Sequence, residues 1–290
     1  MPPTIAHYES IAELGQGALA TVYRAHDPRL GRDVAIKLLR PEYHTDLGFR
    51  SRFEQEATVV AALAHPAIIP IYEFGESEGQ LYLVMAYMPN GSLAARIARG
   101  PVPPEQVAGI LARIGSALDF AHENGIVHRD LKPSNILFDE EDRAYLGDFD
   151  IALQLTPGAG AATISGTPAY MSPEQARRDA AAGSSADLYA LAVTTFHMLT
   201  GRPPFSGDTP IAILLQHLHQ LPPALHELNP ELPPALNTVL QAALAKDAAA
   251  RYPTAAAFVA AFNAALAAPT ATPPLPQPLP RTAPEPAVVD

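Results

Sequence analysis

Cysteine is missing from all 290 residues, which removes disulfides, thiolate nucleophiles and cysteine-ligated zinc from consideration. That suits a reducing compartment, and a cytoplasmic location is expected. Basic residues are scarce: 19 Lys and Arg stand against 30 Asp and Glu, a net charge of -11. No basic block interrupts this acidity, so nucleic acid is not an expected partner. The N-terminal stretch Met1 to Glu9 lacks the basic and apolar regions of a secretory leader. Long hydrophobic runs are missing too. The longest, Leu188 to Leu199, carries His197 and is too short to span a bilayer, so it reads as a buried helix.

What remains is a chain with 48% hydrophobic residues, enough for a sizeable core. Tyr8 to Leu14 and Thr21 to Ala25 read as strands joined by Gly15-Gln16-Gly17-Ala18-Leu19-Ala20. A glycine-rich turn of this kind lets backbone N–H groups approach phosphates, because no side chain intervenes. No Gly-Lys-Ser/Thr follows, which rules out a Walker A loop, and the strand that follows disfavours a dinucleotide-binding fingerprint. Val34 to Leu39 is a third strand with Lys37 inside an apolar run. A lysine so placed needs an anionic partner. A helix from about Asp46 to Ala64, with Phe49, Phe53, Val60 and Leu63 as its apolar set, offers Glu54 and Glu56. Ile68 to Phe74 and Leu81 to Tyr87 complete a five-stranded antiparallel sheet.

Near residue 90 the pattern turns helical. Ser92 caps a short helix to Arg99, and Pro104 to Asn124 forms a long amphipathic one ended by Gly125. It leads into His128-Arg129-Asp130-Leu131-Lys132-Pro133-Ser134-Asn135. Beyond lie Ile136 to Phe138 and Ala144 to Leu146, two short strands turned by Asp139 to Asp142. Such a hairpin brings Asn135, before its first strand, close to Asp148, after its second. Two oxygen donors there suit magnesium, a hard cation that takes one or two protein ligands plus phosphate oxygens. Asp148 to Glu174 is a long run of small and polar residues, the kind of loop that is usually functional. A serine-capped helix from Ser184 to Thr200, stopped by Gly201, precedes helices at about 210–219, 233–247 and 254–268. Pro269 to Asp290 is proline-rich and reads as a disordered tail.

The run from His128 to Asn135 resembles the catalytic loop of protein kinases, H-R-D-L-x-x-x-N, at every fixed position. Further motifs in the family's order extend the resemblance over about residues 8 to 268. It is closest in kind to the bacterial eukaryotic-like, or Hanks-type, serine/threonine group. The implied fold is α+β and bilobal, with a small lobe over 1–88, a larger helical lobe over 89–268 and the tail at 269–290. The implied activity is transfer of the γ-phosphate of ATP to Ser and Thr hydroxyls of protein substrates, with autophosphorylation of the activation loop.

By the same resemblance, Asp130 is the base for the attacking hydroxyl, and Lys132 balances charge on the transferred group. Lys37 contacts the α- and β-phosphates and pairs with Glu56, chosen over Glu54 because it directly precedes an alanine. Asn135 and Asp148 hold Mg2+, with Mn2+ as the substitute. Gly15 and Gly17 cover the phosphates. Ala86 and Met88 bond the adenine through their backbones, Met85 backs the pocket, and Leu14, Val22, Ala35 and Leu137 sandwich the ring. Gly166 to Glu174 resembles the substrate-binding segment, with Glu174 paired to Arg251 and Thr167 near Asp130 and Lys132. His128, Phe149 and Asp187 have structural roles, Asp187 bracing the catalytic loop. Arg129 implies a loop phosphate, for which Thr163 and then Ser165 are the acceptors.

Pairing of two chains through the small lobe is a family habit that these residues do not themselves indicate. Bacterial relatives often continue past such a tail into a membrane helix. None follows here, so the expectation is a soluble protein or a shortened form of a membrane kinase. One departure stands out: the family's D-F-G is Asp148-Phe149-Asp150. An added carboxylate beside the metal is the basis for an alternative, a nucleotide-binding interaction module of pseudokinase type. A small-molecule kinase of related fold is disfavoured by the Gly166 to Glu174 segment and Arg251.

Overall fold

The structure, a computed structural model, describes residues 4–17, 19–41, 47–149, 167–179 and 183–268, without the side chains of residues 47, 52 and 56. Strands β1 (Glu9–Gln16), β2 (Ala20–Asp27), β3 (Arg32–Leu39), β4 (Ile71–Ser77) and β5 (Gln80–Ala86) form one antiparallel sheet in the order β1-β2-β3-β5-β4. Its two faces are apolar for different purposes. Val34, Ile36, Tyr82 and Val84 pack with Ile5 and Tyr8 of the N-terminal segment on one side. On the other, Ala35, Leu83 and Met85 pack with Phe49, Phe53 and Ala57. Those last three recur every four residues, the spacing that gives α1 (Leu47–Ala61) one buried edge.

Beyond the sheet the chain is mainly helical. The helix α2 (Leu93–Ile97) is capped by Ser92 Oγ, which accepts from Ala95 N. In α3 (Pro104–Glu123), Val107, Ile110, Leu111, Ile114, Leu118 and Ala121 are buried along one stripe, and Gly125 ends the helix at φ 75°. After the short α4 (Pro173–Ala176) comes α5 (Ser184–Thr200), buried on nearly every side and forming the axis of the larger lobe. The expected serine cap is corrected here: Gly183 is its N-cap, with no side-chain bond. Ser184 begins the helix, and Ser185 Oγ donates instead to Glu174 Oε1. Around it pack α6 (Pro210–His219), α7 (Leu225–Leu228), α8 (Pro234–Ala243) and α9 (Ala255–Leu266). The expected helix 233–247 stops at Ala243. The chain therefore has the expected bilobal α+β architecture; the segment 269–290 lies outside the described residues.

A hairpin joins the two halves. Strands β6 (Ile136–Phe138) and β7 (Ala144–Leu146) pair Ile136 with Leu146. On one flank Asn90 N donates to Phe138 O and Phe138 N to Gly91 O. On the other Leu146 N donates to Ala67 O and Ile69 N to Leu146 O. Residues 68–70, expected to open β4, thus serve as a lashing to the hairpin, and the strand starts at Ile71. Backbone bonds tie this hairpin to both lobes, and its open end, flanked by the Leu146 bonds, carries Asn135 and Asp148.

Candidate active site

The loop between α3 and β6 is held in a conformation it would not choose alone. Arg129 has φ 65°, a left-handed angle that costs a non-glycine residue about 1–3 kcal/mol. Asp187, near the start of α5 and 1% exposed, offsets that strain. Its Oδ2 accepts from His128 N at 2.7 Å and its Oδ1 from Arg129 N at 2.8 Å. His122 on α3 reaches the same Oδ2 at 2.8 Å. Asp187 thus spends its oxygens on this loop and on α3. His128 is buried between neighbours that set its tautomer: Nε2–H donates to Gly147 O at 2.9 Å, and Nδ1 accepts from Asp130 N at 3.3 Å. Phe149 packs against this ring, 4.7 Å between centroids.

On this frame Asp130 faces Lys132, whose Nζ donates to Oδ2 at 2.6 Å. Asn135 donates through Nδ2 to Asp130 O at 2.9 Å and to Asp130 Oδ2 at 3.3 Å. Gly147 N donates to Asn135 O at 2.9 Å, which sets the next residue, Asp148, beside Asn135. Asp148 also has positive φ, 54°. Its carboxylate meets Lys37 Nζ at 2.9 Å, a contact between residues 111 apart in sequence. Lys37, with Lys132 and His128 behind it, holds the Asp148 carboxyl below the usual carboxylate range even though burial opposes this. Lys37, Asp130, Lys132, Asn135 and Asp148 therefore belong to one connected cluster. The side chain of Glu56 lies outside the described residues, while Glu54 is exposed on α1.

The nucleotide candidates also group. Ala35, Met85 and Met88 share one apolar cluster, with Val22, Ala86 and Leu137 packed against it. Leu14 stands apart, 47% exposed at the end of β1. Gly15 and Gly17 do not have positive φ, and a Cβ on Gly15 would meet nothing within 4 Å. Gly15 stands at a register irregularity between β1 and β2, where a Cβ would still find open space.

Farther out, Arg251 and Glu174 form a fork: NH1 donates to Oε1 at 2.7 Å and NH2 to Oε2 at 2.9 Å. Burial is the largest influence on the Glu174 carboxyl and would raise it, but the Arg251 bonds and charge, a backbone bond and Ser185 together keep the group below its ordinary value. Thr167 is exposed, and no hydrogen bond joins it to Asp130 or Lys132 among the described residues. Thr163, Ser165 and Asp150 lie outside the described residues. Two contributors escaped the sequence reading. His122 has no motif to betray it. Gln175 does: Ser172 and Gln175 form a capping box, a spacing legible in sequence, and Gln175 Nε2 then donates to Arg129 O at 2.8 Å.

The pattern that defines the protein kinase domain family matches residues 8–262. The chain is 41% identical over 251 residues to the serine/threonine-protein kinase PrkC of Bacillus subtilis, across 86% of this chain and 39% of that protein. It is 40% identical over 264 residues to the serine/threonine-protein kinase PknB of Mycobacterium leprae, across 88% of this chain and 42% of that one. Among solved structures, the kinase domain of Mycobacterium tuberculosis PknI superposes with a TM-score of 0.73 at 32% identity, over 91% of this chain and 97% of that one. The chain spans about two-fifths of the length of the curated relatives it matches. The family's motifs, this bilobal architecture and these similarities agree: the chain belongs to the protein kinase family, among the bacterial Hanks-type serine/threonine kinases.

Proposed function

We propose that this chain transfers the γ-phosphate of ATP to serine and threonine hydroxyls of proteins. The observation that carries the reading is the Lys37–Asp148 contact of 2.9 Å, made next to the Asp130–Lys132–Asn135 group. Phosphoryl transfer asks little covalent chemistry of a protein; it asks for positioning and for charge to be neutralised. Asp130 accepts the proton of the incoming hydroxyl and aims its oxygen. Lys132, already on Asp130 Oδ2, balances charge on the transferred group. Lys37 fixes the α- and β-phosphates and is oriented by Glu56. Gly15 and Gly17 let the backbone close over the phosphates. The adenine lies between Val22, Ala35 and Leu137, with Leu14 at the rim and Met85 behind, and bonds the backbones of Ala86 and Met88.

The kinase family uses ATP and a divalent cation. Asn135 and Asp148 are the residues to hold one here, and magnesium fits them, with manganese as a substitute. Asp148 stays ionised under the influence of Lys37, as a hard cation's ligand must. Among the described residues no cluster of three or more His, Asp or Glu is poised for a metal, which fits a site completed by nucleotide phosphates. When bound, the cation draws negative charge from the phosphate oxygens.

Glu174, Arg251, Asp187, His128 and Phe149 keep the scaffold for these groups, and Thr167 opens the segment that takes the protein substrate. Autophosphorylation at Thr163 or Ser165, read by Arg129, belongs to the same proposal. So do a cytoplasmic site of action without nucleic acid as partner and pairing of two chains through the small lobe, which sedimentation tests. No helix among the described residues is long and apolar enough to cross a membrane. Nothing in the relatives favours the non-catalytic alternative. Purified chain incubated with γ-labelled ATP, Mg2+ and a generic protein substrate tests the activity. Label on seryl and threonyl residues that vanishes in Asp130→Asn is the expected result, and label unchanged in that variant would overturn the assignment.

A further inference from the structure

Beneath the residues that follow Thr167 lies a buried cluster that the proposed chemistry leaves unused. His217 on α6 is 0% exposed. From α5, the Tyr189 hydroxyl meets its Nδ1 at 2.9 Å. From the loop before α6, the Phe205 ring stands edge-on at 4.7 Å. From the chain after α8, Lys246 is held with Nζ 4.4 Å from the Phe205 ring and 3.4 Å from Gln216 O. Arg251 and Glu174 stand behind Tyr189. From the substrate side comes the backbone of Ala169, in the turn Pro168–Tyr170 that packs on α6.

These neighbours fix the state of the imidazole. Burial pushes the Tyr189 hydroxyl up, so it keeps its proton and donates it to Nδ1. Burial, the Lys246 cation and the weaker opposing influence of Ala169 bring His217 down to about 4, so it is neutral at physiological pH with its proton on Nε2. That Nε2 makes no hydrogen bond among the described residues. A buried, unpaired N–H beside a backbone is costly unless the backbone moves in to take it. Two residues beyond this point have fixed anchors: Tyr170 OH meets His197 Nδ1 at 2.7 Å, and Gln175 Nε2 donates to Arg129 O at 2.8 Å.

We infer that His217 is a positioning residue for the protein substrate: its Nε2–H, unpaired among the described residues, takes the Ala169 carbonyl when substrate binds and so sets the segment Pro168–Met171. This rests on the kinase reading and names a residue through which that reading selects its protein substrate. Neutral imidazole supplies the donor.

The test is steady-state kinetics with one protein substrate, comparing wild type, His217→Phe, His217→Gln and Tyr189→Phe. His217→Phe keeps ring volume against Phe205 and removes the donor. It should raise KM for the protein about tenfold, as loss of one hydrogen bond implies, with KM for ATP and kcat within about twofold. His217→Gln, which restores an N–H, should recover most of that loss. Tyr189→Phe, which frees the tautomer, should raise the same KM by a smaller factor. An unchanged protein KM in His217→Phe, or equal loss in the Phe and Gln variants, overturns the inference. Should His217→Phe fail to fold, Tyr189→Phe decides, and an unchanged KM there is fatal. Wild-type protein that labels no substrate defeats the kinase reading instead, so the two failures are distinct.

Discussion

Two ion pairs, one between the lobes and one within the larger lobe, differ in what they are free to do. Lys37–Asp148 is a single contact of 2.9 Å, with side chains 24% and 43% exposed. Arg251–Glu174 is bidentate, with side chains 1% and 11% exposed, and Arg251 adds bonds to Ser185 O and Ala245 O. The first is the more open of the two, and its partners share one bond, which leaves the Asp148 carboxylate able to turn to a cation. The second has every donor committed and is expensive to break. One pair is suited to chemistry and the other to architecture, although both join a cation to a carboxylate distant in sequence.

The contrast breaks most visibly in activity. Asp130→Asn, beside the accessible pair, should lower kcat by about 10²–10⁴ with little change in melting temperature. A comparable loss of stability, read by thermal melting, would mean that the cluster is structural. Next in size is Arg251→Met, which strands a buried carboxylate and should cost about 3–5 kcal/mol in urea unfolding. Lys37→Met should abolish activity but cost no more than about 1 kcal/mol.

Acid sharpens the same difference. Glu174 has a depressed folded value, so its stabilising contribution is complete above the ordinary carboxylate value of about 4.3. It fades as pH falls through the lower folded value. In Arg251→Met the depression disappears, and stability measured between about pH 5 and pH 2 should fall less steeply than in wild type. An equal slope would show that the pair is not the acid-sensitive element. The smallest effect is expected at Gly15, where a Cβ would meet nothing within 4 Å. Gly15→Ala should leave the melting temperature unchanged or slightly higher and raise KM for ATP severalfold. A fall in stability instead would show that the glycine serves the turn.

The two pairs were unequally legible in the sequence. Strands, the long α3 and the hairpin were readable because their apolar periodicity reports burial directly. Their ends were not: Ile68 and Ile69 are as apolar as the strand residues after them, and only tertiary bonding to Leu146 takes them out of β4. The serine cap of α5 misled because the helix starts one residue earlier, putting Gly183 at the cap and both serines inside it. At the site, motif spacing gave Asp130, Asn135 and Asp148, since backbone geometry near them is local. Support from afar was harder to see. Asp187 and Arg251 came through resemblance, while His122 and His217 carry no local pattern. Their roles exist only where helices meet.

The account turns on Asp148 being able to leave Lys37 for a cation. Calorimetric titration of the purified chain with ATP, with and without Mg2+, in wild type and Asp148→Asn measures this directly. Magnesium should strengthen ATP binding by about tenfold or more in wild type, or 1.4 kcal/mol per factor of ten, and by little in the folded variant. An Mg2+ increment that survives undiminished in Asp148→Asn would contradict the account.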